Sequence, residues 1–222
     1  HKLIAETPAE GDADHVPVVV WSVPQIPDRP GFILHGGESP LPAMLNGIRV
    51  LRGAGATCIA IPCNTAHYWY DELARAAGVP VLHIADAACD MLEQRGIRGG
   101  AVGLMATNGT LAAGFYQQRL KSRGYRPLLN TEADQRELVL PGIAGVKRFR
   151  LDEAAELLQQ AAARLQDAGA RAIVLGCTEI PVALGHAGAG TMMLDATLAL
   201  AQACVRWWRM ANPAPATNGA RT

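Results

Sequence analysis

Two cysteines follow short apolar segments of the kind that form buried strands. Cys63 comes after residues 58–62, and Cys177 comes directly after residues 172–176. A thiolate is a good base or nucleophile, and backbone N–H groups at the start of a helix lower the pKa of a nearby thiol. A single cysteine of this kind often only fills the core. Two such cysteines, each followed by small polar residues, favour a catalytic role. The pattern therefore predicts two thiols that act as an acid/base pair.

The other three cysteines are interpreted as core residues. Cys58 lies within the first apolar segment, and Cys89 and Cys204 lie on the faces of predicted helices. Five cysteines are an odd number, and no two are spaced as Cys-x-x-Cys, which argues against a disulfide framework and against a structural zinc site. We therefore expect a reducing, cytoplasmic location and no metal.

Small hydrogen-bonding residues stand at the turns between predicted strands and helices. Such residues commonly cap helices, and a capped turn can still offer free N–H groups to a carboxylate. Substrate contact is favoured for four of them, and for the fifth it is weighed equally against capping. The four are Asn64, Thr65, Thr107 and Thr178, and the fifth is Thr110.

Four charged or ionisable residues near these turns have two interpretations each. Arg29 and Lys147 are cations in predicted loops, where each is either a solvated surface charge or a group that binds a carboxylate. His67, four residues after Cys63, either belongs to the core or tunes the thiol. Glu179 either orients a group in the site or caps the helix that follows.

The composition argues against several classes of function. The 222 residues carry 20 Lys and Arg against 20 Asp and Glu, and half of them are hydrophobic. No strongly basic face is evident, so nothing indicates binding to nucleic acid. No apolar segment approaches the roughly 20 residues that cross a bilayer, so no membrane is expected either. Phosphate-loop and zinc-protease motifs are missing from the sequence as well, and a small molecule remains the expected partner.

Segments with strand-like and helix-like patterns alternate along the chain. The predicted strands lie at residues 16–23, 58–63, 79–84, 100–105, 126–129, 172–177 and 192–195. Strands that alternate with helices form parallel sheets, and ligands bind at the carboxyl ends of such strands. The sequence therefore predicts an α/β fold, and the similarity of the two cysteine segments suggests two related halves.

Four segments together resemble the motifs of one enzyme family. They are residues 22–29, 63–67, 103–110 and 176–179, with the sequences SVPQIPDR, CNTAH, GLMATNGT and GCTE. In this order they are similar to the aspartate/glutamate racemase family, and specifically to its aspartate racemase branch. The resemblance covers nearly the whole chain except its last residues.

The resemblance implies two pseudo-symmetric α/β domains, each with a mainly parallel sheet flanked by helices, and an active site in the cleft between them. On this basis we assign residues 1–95 with 191–211 to the first domain, residues 96–190 to the second, and residues 212–222 to a disordered tail. The family works without pyridoxal phosphate or metal, so no cofactor is expected. Its members are commonly dimers, so a homodimer is expected.

The resemblance also implies a role for each candidate residue. In the family, one cysteine thiolate removes the α-proton of an amino acid and the other thiol delivers a proton to the opposite face. Cys63 and Cys177 match these two cysteines. The residues that match substrate-binding groups are Asn64, Thr65, Thr107 and Thr178 around the α-carboxylate and amine, with Arg29 and Lys147 for the side-chain carboxylate; His67, Glu179 and Thr110 are supporting residues.

One departure from the family pattern concerns the first strand. Family members begin with a strand and a glycine-rich loop that lines the substrate site, and residues 1–222 contain no such segment. Residues 1–8 look like the last turns of a helix closed by a proline. We therefore expect a gap in the first sheet and a site with one wall open.

The hypothesis is a racemase of aspartate, and several alternatives stay open. Within the same superfamily they are a broad-specificity amino-acid racemase and a maleate-isomerase-like enzyme, in which one cysteine attacks the substrate covalently. A protein that binds an amino acid without catalysis is another. A redox-active dithiol is the last, and it would need the two Cα atoms within about 7 Å.

Overall fold

The computed structural model describes residues 1–185 and 193–213, and in them two parallel sheets lie among helices. The smaller sheet pairs β1 with β2, and the larger has the order β4-β3-β5-β6. All strand pairs are parallel. The strands are β1 (Ile59–Ala60), β2 (Val81–Leu82), β3 (Gly100–Ala106), β4 (Tyr125–Leu129), β5 (Ala172–Gly176) and β6 (Met193–Asp195).

Twelve α-helices in the described residues connect and cover these strands. Short helical turns of other types precede α4 and α9 and also follow α1. The α-helices are α1 (Lys2–Glu6), α2 (Arg29–His35), α3 (Leu41–Gly53), α4 (Tyr70–Ala77), α5 (Ile84–Gln94), α6 (Asn108–Ala113), α7 (Phe115–Ser122), α8 (Glu132–Asp134), α9 (Leu140–Lys147), α10 (Leu151–Asp167), α11 (Glu179–Leu184) and α12 (Ala196–Ala211). None of them is long and apolar enough to cross a membrane.

The larger sheet is the best-packed part of the molecule. All five residues of β5 are buried, and so are six of the seven residues of β3. Such runs of apolar residues are typical of central parallel strands, which are covered on both faces. One face packs against α5, α7 and α12, and the other against α9, α10 and α11. The predicted α/β fold with parallel sheets is confirmed.

The smaller sheet is short, and one predicted strand is not part of it. Residues 16–23 have no strand pairing, and Val18, Val19 and Val20 are exposed. The strand prediction from β-branched composition was wrong here, because a strand forms only where a neighbour supplies its ladder of hydrogen bonds. A cavity of about 470 Å³ separates residues 16–19 from β1.

The end of the second half also differs from the assignment made from the sequence. Residues 193–195 were grouped with the first domain, but β6 pairs with β5 in the larger sheet, with Val174 opposite Leu194. The reason is burial, since Leu194 is fully enclosed in the core of that sheet. The helix that follows, α12, packs against α1 and α5. The predicted tail at 212–222 lies mostly outside the described residues, which end at 213.

Candidate active site

Cys63 lies three residues after the end of β1, directly before the turn that begins at Asn64. The chain enters a short 3-10 helix, Thr65–Trp69, and then α4. Cys63 is partly exposed, whereas Asn64 and Thr65 beside it are buried. The turn therefore keeps a thiol accessible while its polar neighbours are held in the interior.

The side chain of Asn64 is held from one side only. Its Oδ1 atom accepts a hydrogen bond from the Tyr116 hydroxyl at 2.5 Å. Its Nδ2 atom is buried and has no hydrogen-bond partner among the described residues. Buried amide groups are nearly always hydrogen-bonded, so this unpartnered donor is an exceptional feature of the turn.

Three threonine hydroxyls form a closed triangle between the two halves. The Oγ1 atom of Thr65 lies 3.2 Å from that of Thr107 and 2.8 Å from that of Thr110, and the last two are 3.1 Å apart. Thr107 also caps α6, since its Oγ1 accepts the Thr110 backbone N–H. The triangle joins the turn after β1 to the turn after β3.

Cys177 follows β5 directly and is only 7% exposed. Its thiol donates a hydrogen bond to Glu179 Oε2, with Sγ and Oε2 2.9 Å apart, and the Thr178 hydroxyl donates to the same oxygen at 2.8 Å. Lys147 Nζ lies 3.9 Å from Glu179 Oε1. Glu179 therefore accepts hydrogen bonds from both Cys177 and Thr178 through one carboxylate oxygen.

The electrostatics of this group keep the second thiol protonated. Burial raises the pKa of the Cys177 thiol far above its ordinary value, and the negative charge of Glu179 raises it further. Burial also opposes ionisation of Glu179, but hydrogen bonds from Cys177 and Thr178 outweigh it, and the pKa of this carboxyl lies below its ordinary value. The site therefore holds a protonated Cys177 thiol beside an ionised Glu179 carboxylate.

The register of the larger sheet brings the two cysteine turns to the same edge. Ala106, the last residue of β3, pairs with Gly176, the last residue of β5. The next residues, Thr107 and Cys177, therefore leave the sheet side by side. Because Thr107 contacts Thr65, the turn that holds Cys63 lies against this same edge.

His67 braces the first turn and does not contact a thiol. Its Nδ1 lies 3.0 Å from the Cys63 carbonyl oxygen, and its Nε2 accepts the Ile84 backbone N–H at 3.2 Å. Nδ1 therefore carries the proton and donates to the carbonyl. Burial lowers the pKa of His67 to about 4, so the ring is neutral and ties the turn to the start of α5.

The two predicted cations stand at helix ends, and the prediction that they lie in loops was wrong. Arg29 begins α2, and its guanidinium donates to the carbonyls of Ile26 and Pro27 at 2.9 and 3.1 Å. Lys147 ends α9, and its side chain is largely exposed. The lysine reaches the Cys177 group through Glu179, while the guanidinium of Arg29 bonds to carbonyls of the residues just before it.

Three further residues shape the site and were missed in the sequence. Tyr116 holds Asn64 from 52 positions away, which no local pattern could indicate. Gln135, in a π-helical turn, donates to the Ala106 carbonyl at 2.8 Å and so holds the end of β3. His83 caps α5 through its Nδ1; its place just after a short strand was the signal that could have revealed it.

Of the three cysteines predicted to be core residues, only Cys89 is one, and the prediction was wrong for Cys58 and Cys204. Cys89 is fully buried, and burial raises its pKa to about 12. Cys58 and Cys204 are partly exposed and both line the cavity beside β1, which none of the candidate site residues lines. All five cysteines are free thiols, and the described residues contain no cluster of ligands that could hold a metal.

Comparison with known proteins fits this architecture. A family model described as Asp/Glu/Hydantoin racemase matches residues 1–204. The chain is 28% identical over 199 residues to the Bacillus subtilis (strain 168) protein named broad specificity amino-acid racemase RacX, which covers 89% of this chain and 84% of that protein.

Solved structures extend the comparison. Picrophilus torridus aspartate racemase has a TM-score of 0.81 and 30% identity, over 93% of this chain and 85% of that one. Glutamate racemase from Campylobacter jejuni subsp. jejuni has a TM-score of 0.60 and 19% identity, over 98% of this chain and 82% of that one, which supports the fold alone. Fold and site thus define an α/β enzyme of the racemase class. The chain belongs to the Asp/Glu/hydantoin racemase family.

Proposed function

We propose that this protein interconverts L- and D-aspartate without pyridoxal phosphate, and that Cys63 and Cys177 exchange the α-proton on opposite faces of the substrate. The observation that carries the proposal is the contact between the Thr65 and Thr107 hydroxyls. Together with the register of β3 and β5, it supports two thiol-bearing turns at one edge of the molecule. Racemisation needs two proton-transfer groups, one for each face of the α-carbon.

The neighbours of the thiols suit the chemistry of a carbanion. An α-proton beside a carboxylate is very weakly acidic, so the negative charge that develops must be stabilised by fixed hydrogen-bond donors. The free Asn64 Nδ2 and the hydroxyls of Thr65, Thr107 and Thr178 are such donors. We assign them to the α-carboxylate and the amino group, with Thr110 and His67 holding them in place.

Cys177 begins the proposed cycle with its proton in place. Cys177 is held as a neutral thiol by burial and by Glu179, which makes it the group that delivers a proton. Cys63 then removes the α-proton from the other face. Delivery of that proton to the α-carbon leaves Cys177 as the thiolate and Cys63 as the protonated thiol, and the reverse reaction begins from this state. Glu179, 2.9 Å from the Cys177 Sγ atom, keeps the sulfur oriented in both directions.

The proposal that aspartate is the substrate is supported by a similar solved structure and by two cations. The Picrophilus torridus protein is named an aspartate racemase, and Arg29 and Lys147 are the proposed partners of the side-chain carboxylate. Broad specificity is the second candidate, because Arg29 is occupied by two carbonyls and Lys147 faces Glu179. The Bacillus subtilis relative is named for such a range of substrates.

Circular dichroism of L-aspartate in deuterated water tests the proposal directly. The chain should remove the optical signal and place deuterium at the α-carbon of both enantiomers, whereas Cys63→Ala and Cys177→Ala should not racemise. Equal racemisation by either variant would refute the two-base assignment. Fumarate formed from maleate, without α-deuterium, would instead indicate an isomerase, and binding without exchange a non-catalytic protein. A panel of amino acids decides between the two racemase candidates.

The cellular setting belongs to the same proposal. Free thiols at the site and elsewhere in the described residues suit a reducing compartment, so we assign the protein to the cytoplasm. We also propose a homodimer, which sedimentation equilibrium would test.

A further inference from the structure

Tyr116 occupies a special position beneath the candidate site. It lies on α7, it is completely buried, and its ring packs against that of Phe115 with centroids 5.0 Å apart. Its hydroxyl reaches Asn64 Oδ1 at 2.5 Å. The tyrosine thus joins the hydrophobic core to the residue that follows Cys63.

The two ends of the Asn64 amide are chemically opposite. Oδ1 can only accept hydrogen bonds, and Nδ2 can only donate them. The Tyr116 hydroxyl keeps its proton, since burial raises the pKa of Tyr116 well above its ordinary value. A buried hydroxyl with a proton to donate needs an acceptor, and the acceptor it meets is Oδ1.

This contact decides which end of the amide is left over. With Oδ1 turned toward Tyr116, the free end is Nδ2, which is buried and has no partner in the described part of the chain. An unpartnered buried donor is costly, and the cost is recovered when a ligand supplies an acceptor. A carboxylate is the strongest acceptor that a small metabolite offers.

We propose that Tyr116 is a positioning residue that locks the Asn64 amide with Nδ2 toward the ligand, and so makes the site select a carboxylate over a carboxamide beside the reacting carbon. The inference rests on the proposed function, because it takes an amino acid as the ligand. A carboxylate offers only acceptors, while a carboxamide offers one acceptor and one donor. Without the Tyr116 hydroxyl, the Asn64 amide could turn to hydrogen-bond a carboxylate or a carboxamide. Removal of this hydroxyl should therefore lower the preference for the carboxylate.

The decisive measurement is a ratio of dissociation constants. Isothermal titration calorimetry with L-aspartate and with its α-carboxamide, L-isoasparagine, gives the preference of wild type and of Tyr116→Phe. We expect the preference for the carboxylate to fall about tenfold in Tyr116→Phe. The reason is that the Asn64 amide would no longer be fixed to donate its charge-assisted hydrogen bond to the carboxylate. A purely structural role would weaken both ligands alike, so an unchanged ratio overturns the proposal.

Tyr125→Phe is the matched control. Tyr125 is also buried, and its hydroxyl also donates a hydrogen bond, to the Ile97 carbonyl at 2.8 Å. Both variants remove a buried hydroxyl, and both should lose a comparable amount of stability in urea unfolding. Only Tyr116→Phe should change the ratio, and an equal change in Tyr125→Phe contradicts the lock.

A second measurement needs no variant of Tyr116. In wild type with ¹⁵N-labelled asparagine, the side-chain amide resonance of Asn64 should shift when L-aspartate is added, and that of Asn130 should not. If the protein racemises L-aspartate but the Asn64 resonance does not shift at saturating L-aspartate, the proposed role of Tyr116 is wrong. If wild type neither binds nor racemises L-aspartate, the proposed function and the inference both fail, and this result differs from failure of the lock alone.

Discussion

The two cysteine turns are similar in sequence but differ in their surroundings. Cys63 follows a strand of two residues and is partly exposed, whereas Cys177 follows a fully buried strand of five and is hydrogen-bonded to Glu179. The first turn is braced by neutral groups, His67 and Tyr116. The second is arranged around an ionised carboxylate.

This difference shows that related turns need not carry equivalent groups. In racemisation the two proton-transfer groups must be in opposite states at any moment, one holding the proton and the other lacking it. Burial and a nearby carboxylate impose the protonated state on Cys177. The asymmetry of packing thus supplies a chemical asymmetry that the two motifs alone do not show.

The largest expected effect comes from the thiols themselves. Cys63→Ser and Cys177→Ser should each lower the rate of aspartate racemisation by about 10³-fold or more, because a hydroxyl is a far weaker base than a thiolate and general acid/base catalysis is worth 10² to 10⁴. Polarimetry or circular dichroism gives the rates. Cys58→Ser, in the same segment as Cys63, is the control and should keep most of the activity; an equal loss there would argue against the assignment.

His67, which holds the turn after β1, should make the stability of the fold depend on pH. His67 has a pKa lowered to about 4 by burial, so between pH 6.5 and 4 the unfolded chain binds a proton that the native state does not. Stability therefore falls as the pH falls, by about 2 kcal/mol for this residue between pH 7 and 5. Urea unfolding at the two pH values measures the fall.

His67→Gln provides the comparison for the acid effect. The variant should be less stable at pH 7, but the fall between pH 7 and 5 should be smaller than in wild type. His83, whose pKa burial lowers to about 2, still contributes in the same direction. A fall of unchanged size would show that His67 is not the neutral buried group described above.

The larger sheet and the unpaired segment 16–23 should differ in their response to the same substitution. Val174→Ala, at a fully buried position of β5, should cost about 2 kcal/mol through lost burial and the cavity it leaves. Val20→Ala, at a position 76% exposed in the unpaired segment, should change stability by less than about 0.5 kcal/mol. Urea unfolding compares them, and a similar cost at both positions would mean that residues 16–23 are packed in solution.

A smaller effect is expected from the carboxylate beside Cys177. Glu179→Gln removes a negative charge that raises the pKa of the Cys177 thiol, so that pKa should fall and the alkaline limb of the profile of kcat/KM against pH should move to lower pH. The loss of the carboxylate that orients the Cys177 thiol should lower kcat about tenfold. Glu137→Gln, on an exposed side chain, is the control, and a profile that stays in place would show that Glu179 does not act on the Cys177 thiol.

Much of the site could be predicted because its residues follow a local rule. Cys63, Cys177, Thr107 and Thr178 stand where strands give way to helices, and parallel strands carry their ends to one edge. The fold was predictable from the alternation of apolar segments for the same reason. Lys147 and Arg29 were named as candidates, yet their placement at helix ends depended on boundaries that composition does not set.

The failures concern pairing between distant segments. Residues 16–23 have the composition of a strand but no neighbour to pair with, and β6 joined the larger sheet because Leu194 is buried there. Tyr116 and Gln135 were missed because their partners lie 52 and 29 positions away. No periodicity within a helix reports such contacts.

The sequence by itself determined the class of fold, the family, and the pair of thiols at strand ends, because these follow from local patterns of apolar and polar residues. Only the tertiary structure decided the state of each group. Burial and the Glu179 carboxylate hold the proton on Cys177, and a hydroxyl from the core sets the orientation of the Asn64 amide. Desolvation and long-range hydrogen bonds depend on what surrounds a residue, which the chain acquires only when it folds.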